Sequence, residues 1–218
     1  ILGNVELCNN AYAATGALNH MAHQVVALKT AKTEAFLGVA ALMAEGIGAD
    51  VYGHVQEKIA EIIVYLEAMR AFWTRAEAEA KENAYGLLCP DRGALDGARN
   101  LYPRLYPRIR EILEQIGASG LITLPSEKDF KGPLGPFLEK FLQGAALEAK
   151  ERVALFRLAW DMTLSGFGAR QELYERFFFG DPVRMYQTLY NVYNKEPYKE
   201  RIRAFLKESL KVFEEVQA

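Results

Sequence analysis

The chain has 218 residues, half of them hydrophobic and a quarter charged, with a formal net charge of -2 and a pI near 6.0. That composition suits a globular chain with one sizeable core, and it gives no general pull toward nucleic acid or an anionic membrane surface. No window approaches the roughly 18 consecutive apolar residues of a membrane span, and two cysteines far apart, Cys8 and Cys89, are no disulfide framework. They read as reduced thiols of a cytoplasmic protein.

The chain opens Ile1-Leu2-Gly3 with no basic stretch followed by an apolar run, so no signal peptide is visible. Residues 1–8 read as a linker or the remnant of a strand, and residues 9–218 as one helical domain. Asn9 or Asn10 can cap a long helix to about Ala44, with Leu18, Met21, Val25, Leu28, Val39 and Leu42 on one side. Gly46 and Gly48 stop it. A second helix is expected from Asp50 to about Asn83, carrying Val55, Ile59, Ile62, Leu66, Met69 and Trp73 on a stripe; so short a turn makes the two antiparallel. Tyr85 to Gly97 holds three glycines and a proline and reads as a loop. A third helix follows, from about Pro103 to Ile116. Ser119 to Pro136 is irregular, a short helix spans Phe137 to Leu142, and a long central helix runs from 147 to about 177. Helices near 182–194 and 197–216 finish the chain, the last with Ile202, Phe205, Leu206, Leu210 and Phe213 on its apolar face. The fold class is all-α, an antiparallel helical bundle.

The central helix draws most attention. Val153 to Phe167 is apolar nearly all round, interrupted by Arg157 and Asp161 at the i,i+4 spacing of an ion pair. It leads to Phe177-Phe178-Phe179-Gly180-Asp181-Pro182-Val183-Arg184. Gly180 suits the position just past a helix end, Asp181 an N-cap, and Pro182 the first helical position, where its missing N–H has no partner to lose. A helix start with Arg184 one turn in is either an ordinary capped helix or an anion site. Elsewhere, His20 and His23 share a helix face without the Glu-x-x-His spacing of a di-iron bundle. Arg99, Arg104, Arg108 and Arg110 among Tyr102 and Tyr106 form the one basic aromatic patch, better read as a solvated or inter-subunit helix start than as a nucleic-acid surface. No Walker A, G-x-G-x-x-G or Ser-His-Asp arrangement occurs.

The segments Glu151 to Asp161 and Phe167 to Arg176, together with the run to Arg184, resemble the oxygenase component of two-component 4-hydroxyphenylacetate 3-monooxygenase. The resemblance covers nearly the whole chain, but only that family's C-terminal helical domain. It implies a bundle like the C-terminal domain of acyl-CoA dehydrogenases, and a homo-oligomer, dimer or tetramer. It implies reduced FAD delivered by a separate flavin reductase, and hydroxylation of 4-hydroxyphenylacetate to 3,4-dihydroxyphenylacetate with oxygen. By resemblance Asp181, Pro182, Val183 and Arg184 occupy a turn of the FAD site, while the groups that hold and deprotonate the phenol lie in domains of the family outside this stretch, so no catalytic residue is named here. The expectation is an isolated or engineered C-terminal domain. Two alternatives stand beside it: an inactive structural or oligomerisation module, and a protein similar to 4-hydroxybutyryl-CoA dehydratase.

Overall fold

The computed structural model describes residues 2–215, with side chains through residue 210; the expected contribution of Phe213 and the helix end at 216 lie outside what is described. The helices are α1 (Val5–Ala14), α2 (Ala17–Gly46), α3 (Gly53–Ala78), α4 (Arg92–Gly117), α5 (Glu127–Lys131), α6 (Gly135–Phe141), α7 (Ala149–Thr163), α8 (Gly166–Phe177), α9 (Pro182–Val192) and α10 (Glu196–Glu215). A two-residue hairpin, β1 (Lys81–Glu82) against β2 (Leu88–Cys89), pairs Lys81 with Cys89 antiparallel. The class is all-α, as the sequence indicates.

Several boundaries differ from the sequence reading, each for a local reason. Residues 1–8 are not a linker or strand remnant: Asn4 Oδ1 accepts from the Leu7 N–H at 2.9 Å and starts α1 at Val5. The first long helix is broken at Gly16, whose φ of 78° cannot continue a helix. The second ends at Ala78 rather than near Asn83. There Asn83 turns the hairpin, its Oδ1 accepting from the Tyr85 and Leu87 N–H groups at 2.9 and 3.1 Å.

The supposed loop to Gly97 hides the start of α4. Asp91 Oδ2 accepts from the Ala94 N–H at 2.8 Å, so Gly93 and Gly97 are helical and Pro103 and Pro107 fall inside the helix. An internal proline costs about 3 kcal/mol or more. Packing offsets this, since fourteen of the 26 residues of α4 are buried and it, not the 147–177 segment, is the centre of the bundle.

That segment is two helices. Ser165 Oγ accepts from the N–H groups of Phe167 and Gly168, both at 3.1 Å, and starts α8. A Cβ on Gly168 would meet the Thr163 backbone at 2.7 Å, so the two helix ends approach where only glycine fits. α7 is one-sided, with Phe156 and Ala159 buried and Leu158 50% exposed. Arg157 and Asp161 form no ion pair among the described residues. Instead the Arg157 guanidinium donates to the carbonyls of Leu124 and Pro125 at 3.2 and 2.9 Å.

The core joins α2, α3, α4 and α7 through Phe36, Met43, Ile62, Met69, Tyr102, Tyr106, Ile109, Leu113 and Phe156. By contact the chain forms two compact units, Ile1–Pro182 and Val183–Ala218, where the sequence reading had one domain over 9–218. No described residue of the second unit is buried. Among the described residues no helix is long and apolar enough to cross a membrane.

Candidate functional site

The stop and restart at the end of α8 lie where glycine and proline place them. The Phe178 N–H donates to the Tyr174 carbonyl at 2.8 Å and the Gly180 N–H to the Phe177 carbonyl at 2.9 Å. Gly180 then takes φ 117°, and α9 opens at Pro182. Asp181, Pro182, Val183 and Arg184 are consecutive at this opening. Asp181, Val183 and Arg184 are exposed. The Arg184 guanidinium enters no ion pair among the described residues, and its carbonyl accepts from Thr188 Oγ1 at 2.9 Å. An exposed helix start with an uncommitted arginine in its first turn is chemically able to receive a phosphate.

Behind the turn, within the first unit, lies a cluster that no local pattern in the sequence announces. Lys29 of α2 and Glu175 of α8 are both essentially inaccessible, at 1% and 0% side-chain exposure. The Lys29 ammonium donates to one carboxylate oxygen of Glu175 and that of Lys32 to the other. Lys32 also donates to Gln171 Oε1 at 3.0 Å. Burial pushes the Lys29 pKa below its ordinary value, against the attraction of Glu175. Aromatic faces complete its surroundings. Lys29 Nζ lies 4.7 Å from the ring centre of Tyr174, 5.4 Å from Tyr102, 5.6 Å from Phe178 and 5.7 Å from Phe179. These are cation–π distances.

Arg99 closes the other side of Phe179, its guanidinium carbon 4.7 Å from the ring centre. One end of that guanidinium donates to Asp96 at 2.9 Å, while its buried Nε has no hydrogen-bond partner. Burial pushes the Tyr102 phenol far up and, with Glu175 adding to it, the Tyr106 phenol up to about 12. Both phenols are therefore neutral at physiological pH.

The remaining sequence candidates disperse. His23 Nε2 lies 2.9 Å from Glu77 Oε1 and accepts from the Trp73 indole N–H at 2.9 Å, whereas His20 Nε2 lies 3.7 Å from Cys89 Sγ. No group of three or more metal-ligating side chains occurs among the described residues. Three of the patch's four arginines are committed to carboxylates: Arg108 to Glu61 at 2.8–3.0 Å and to Glu111 at 2.9 Å, Arg110 to Glu172 and Glu114, Arg99 to Asp96. These three make no open basic surface; Arg104 is exposed. A cavity of about 490 Å³ beside α5 and α7, lined by Pro125, Phe130, Val153 and Arg157 among others, has its lysines paired as Lys131–Glu127 and Lys150–Glu139.

Residues 8–207 match the family described as 4-hydroxyphenylacetate 3-hydroxylase, C terminal. The chain is 99% identical over 218 residues to the oxygenase component of 4-hydroxyphenylacetate 3-monooxygenase of Thermus thermophilus, covering all of this chain and 45% of that protein. It is 49% identical over 214 residues to the same component of a Geobacillus species, covering 98% of this chain and 43% of that protein. The chain thus spans less than half the length of these relatives. A crystal structure of such an oxygenase component complexed with FAD superposes with a TM-score of 0.95 at 99% identity, over 98% of this chain and 45% of the other. An archaeal 4-hydroxybutyryl-CoA dehydratase from N. maritimus superposes with a TM-score of 0.73 at 24% identity over 83% of this chain and 36% of the other, a likeness of fold.

Proposed function

Because the chain belongs to the 4-hydroxyphenylacetate 3-hydroxylase C-terminal family, we propose that it serves as the C-terminal helical part of a reduced-FAD-dependent oxygenase that converts 4-hydroxyphenylacetate to 3,4-dihydroxyphenylacetate. The observation that carries this reading is near-identity, over almost the entire chain, to an oxygenase component solved with FAD. The enzyme is cytoplasmic in this reading, and a separate reductase component supplies its flavin.

Within it, the residues Asp181, Pro182, Val183 and Arg184 are the chain's contribution to the flavin site. The exposed opening of α9 offers the positive end of a helix dipole and Arg184, which enters no ion pair among the described residues. This combination suits the phosphates of FAD. Bound FAD supplies the electrons and the oxygen chemistry. The helical chain supplies binding, orientation and exclusion of water. Its second contribution is self-association into a dimer or tetramer, supported by Tyr190, Ile202, Phe205 and Leu210, each more than half exposed.

The test compares the isolated chain with a full-length oxygenase that contains it. Given reduced FAD, oxygen and 4-hydroxyphenylacetate, the full-length protein should form the catechol and the isolated chain none above the blank. Catechol formation by the isolated chain at an enzyme-like rate would contradict this division of labour.

A further inference from the structure

We propose that Lys29, fastened by Glu175, is a positioning residue for the flavin: its ammonium gathers Phe178 and Phe179 and so sets the backbone of the Gly180–Asp181 turn that leads to the phosphate-receiving helix start. The inference rests on the flavin-site reading given above. Three observations carry it. The Lys29–Glu175 pair is sealed from water, and such pairs are often no more stabilising than apolar residues of the same volume. Its presence therefore calls for a reason other than stability.

The ammonium also faces ring after ring, and two of the four rings within 5.7 Å belong to the residues immediately before Gly180. Of these two rings, Phe178 packs on Tyr174, itself under the same ammonium, at 4.6 Å between ring centres, and Phe179 is shared between Lys29 and Arg99. Phe178 is 42% exposed, so apolar burial holds it weakly, and Gly180 after it has the least intrinsic conformational restraint of any residue. Arg99 presses on Phe179 from its own side while leaving Nε unpaired, so a polar atom is left unsatisfied in keeping the guanidinium beside the ring. The cations thus act on the turn through aromatic faces.

The test uses full-length oxygenase carrying Lys29→Met with Glu175→Met, which replaces the sealed pair by apolar side chains of similar volume. The apo melting temperature should stay close to wild type, because the two sealed charges leave together while Lys32, 20% exposed, keeps Gln171 and water. FAD should bind about three- to tenfold more weakly, the loss of a fraction of one positioning contact. The KM for reduced FAD should rise by the same factor with kcat unchanged once flavin is saturating, a split that general loosening of the fold would not give. Phe179→Leu, which keeps most of the apolar volume and removes the ring, should move FAD affinity the same way and decides the matter if the double variant does not fold. Arg184→Ala serves as the reference. If Arg184→Ala weakens FAD binding while the double variant, or Phe179→Leu in its place, binds like wild type, the positioning role is overturned and the flavin-site reading stands. If Arg184→Ala itself leaves affinity unchanged, the flavin-site reading falls first and the inference with it.

Discussion

α4 and α10 are both amphipathic, and they meet opposite fates. α4 sets Leu105, Tyr106, Ile109, Ile112, Leu113 and Ile116 into the core, each 8% exposed or less. α10 presents the same helical spacing in Ile202, Phe205, Leu206 and Leu210, and each of these is at least 52% exposed. A periodic apolar stripe therefore encodes a face but not what covers it. In α4 the cover is the chain's own α2, α3, α7 and α8. For α10 the face is available to another chain, which is where the proposed self-association would use it.

The comparison can be broken by substitutions on each side. Tyr106, 1% exposed and edge-on to Phe36 at 5.5 Å between ring centres, should cost about 3–5 kcal/mol when changed to alanine. Urea unfolding would show this, and a loss under about 1 kcal/mol would mean that α4 is not the centre. Phe205→Ser, at the equivalent kind of position in α10, should leave the unfolding of the bundle within about 0.5 kcal/mol of wild type. Light scattering should show the wild-type chain as a dimer or tetramer and the variant shifted toward smaller species. A wild-type monomer near 24.5 kDa would remove the argument for a covering partner.

A smaller effect comes from the edge of the α4 interface. The Arg108 guanidinium, paired with Glu61, holds that carboxyl below its ordinary range, and the Tyr65 hydroxyl adds to it. A carboxylate whose pKa is lowered by folding contributes stability that is full above the ordinary glutamate range and lost as pH falls through the folded value. Glu61→Gln should therefore cost up to about 1 kcal/mol at neutral pH. Its cost should shrink as pH drops below about 4.5, the ordinary glutamate value. Equal losses at pH 7 and pH 3 would show that the side chain acts through packing and not through charge.

What could be read without coordinates follows the range of the forces involved. The all-α class and the stop and restart at Gly180 and Pro182 were legible because glycine and proline act on their own backbone. The start of α4 was not, because Asp91 caps it amid glycines that suggest a loop and the prolines further in are tolerated only through burial. The break at Ser165 was missed for a related reason: a serine before a glycine is a weak cap signal inside so apolar a run. The i,i+4 spacing of Arg157 and Asp161 permitted an ion pair, and two loop carbonyls outcompeted it. Lys29 and Glu175 stand 146 residues apart, and no sequence pattern joins them. Family membership was legible, since it is carried by strings of residues. The role of Asp181 to Arg184 rests on that resemblance together with a helix start whose geometry suits it.

The most direct measurement is a titration of FAD into full-length oxygenase with and without Arg184→Ala, alongside thermal melts of both apo proteins. A charge-assisted phosphate contact is worth about 1.5–3 kcal/mol, so affinity should fall roughly ten- to hundredfold. The melts should coincide, since the exposed Arg184 side chain supports no core contact. Equal affinities, or a large loss of apo stability, would contradict the account and leave Asp181 to Arg184 as the capped start of an ordinary helix.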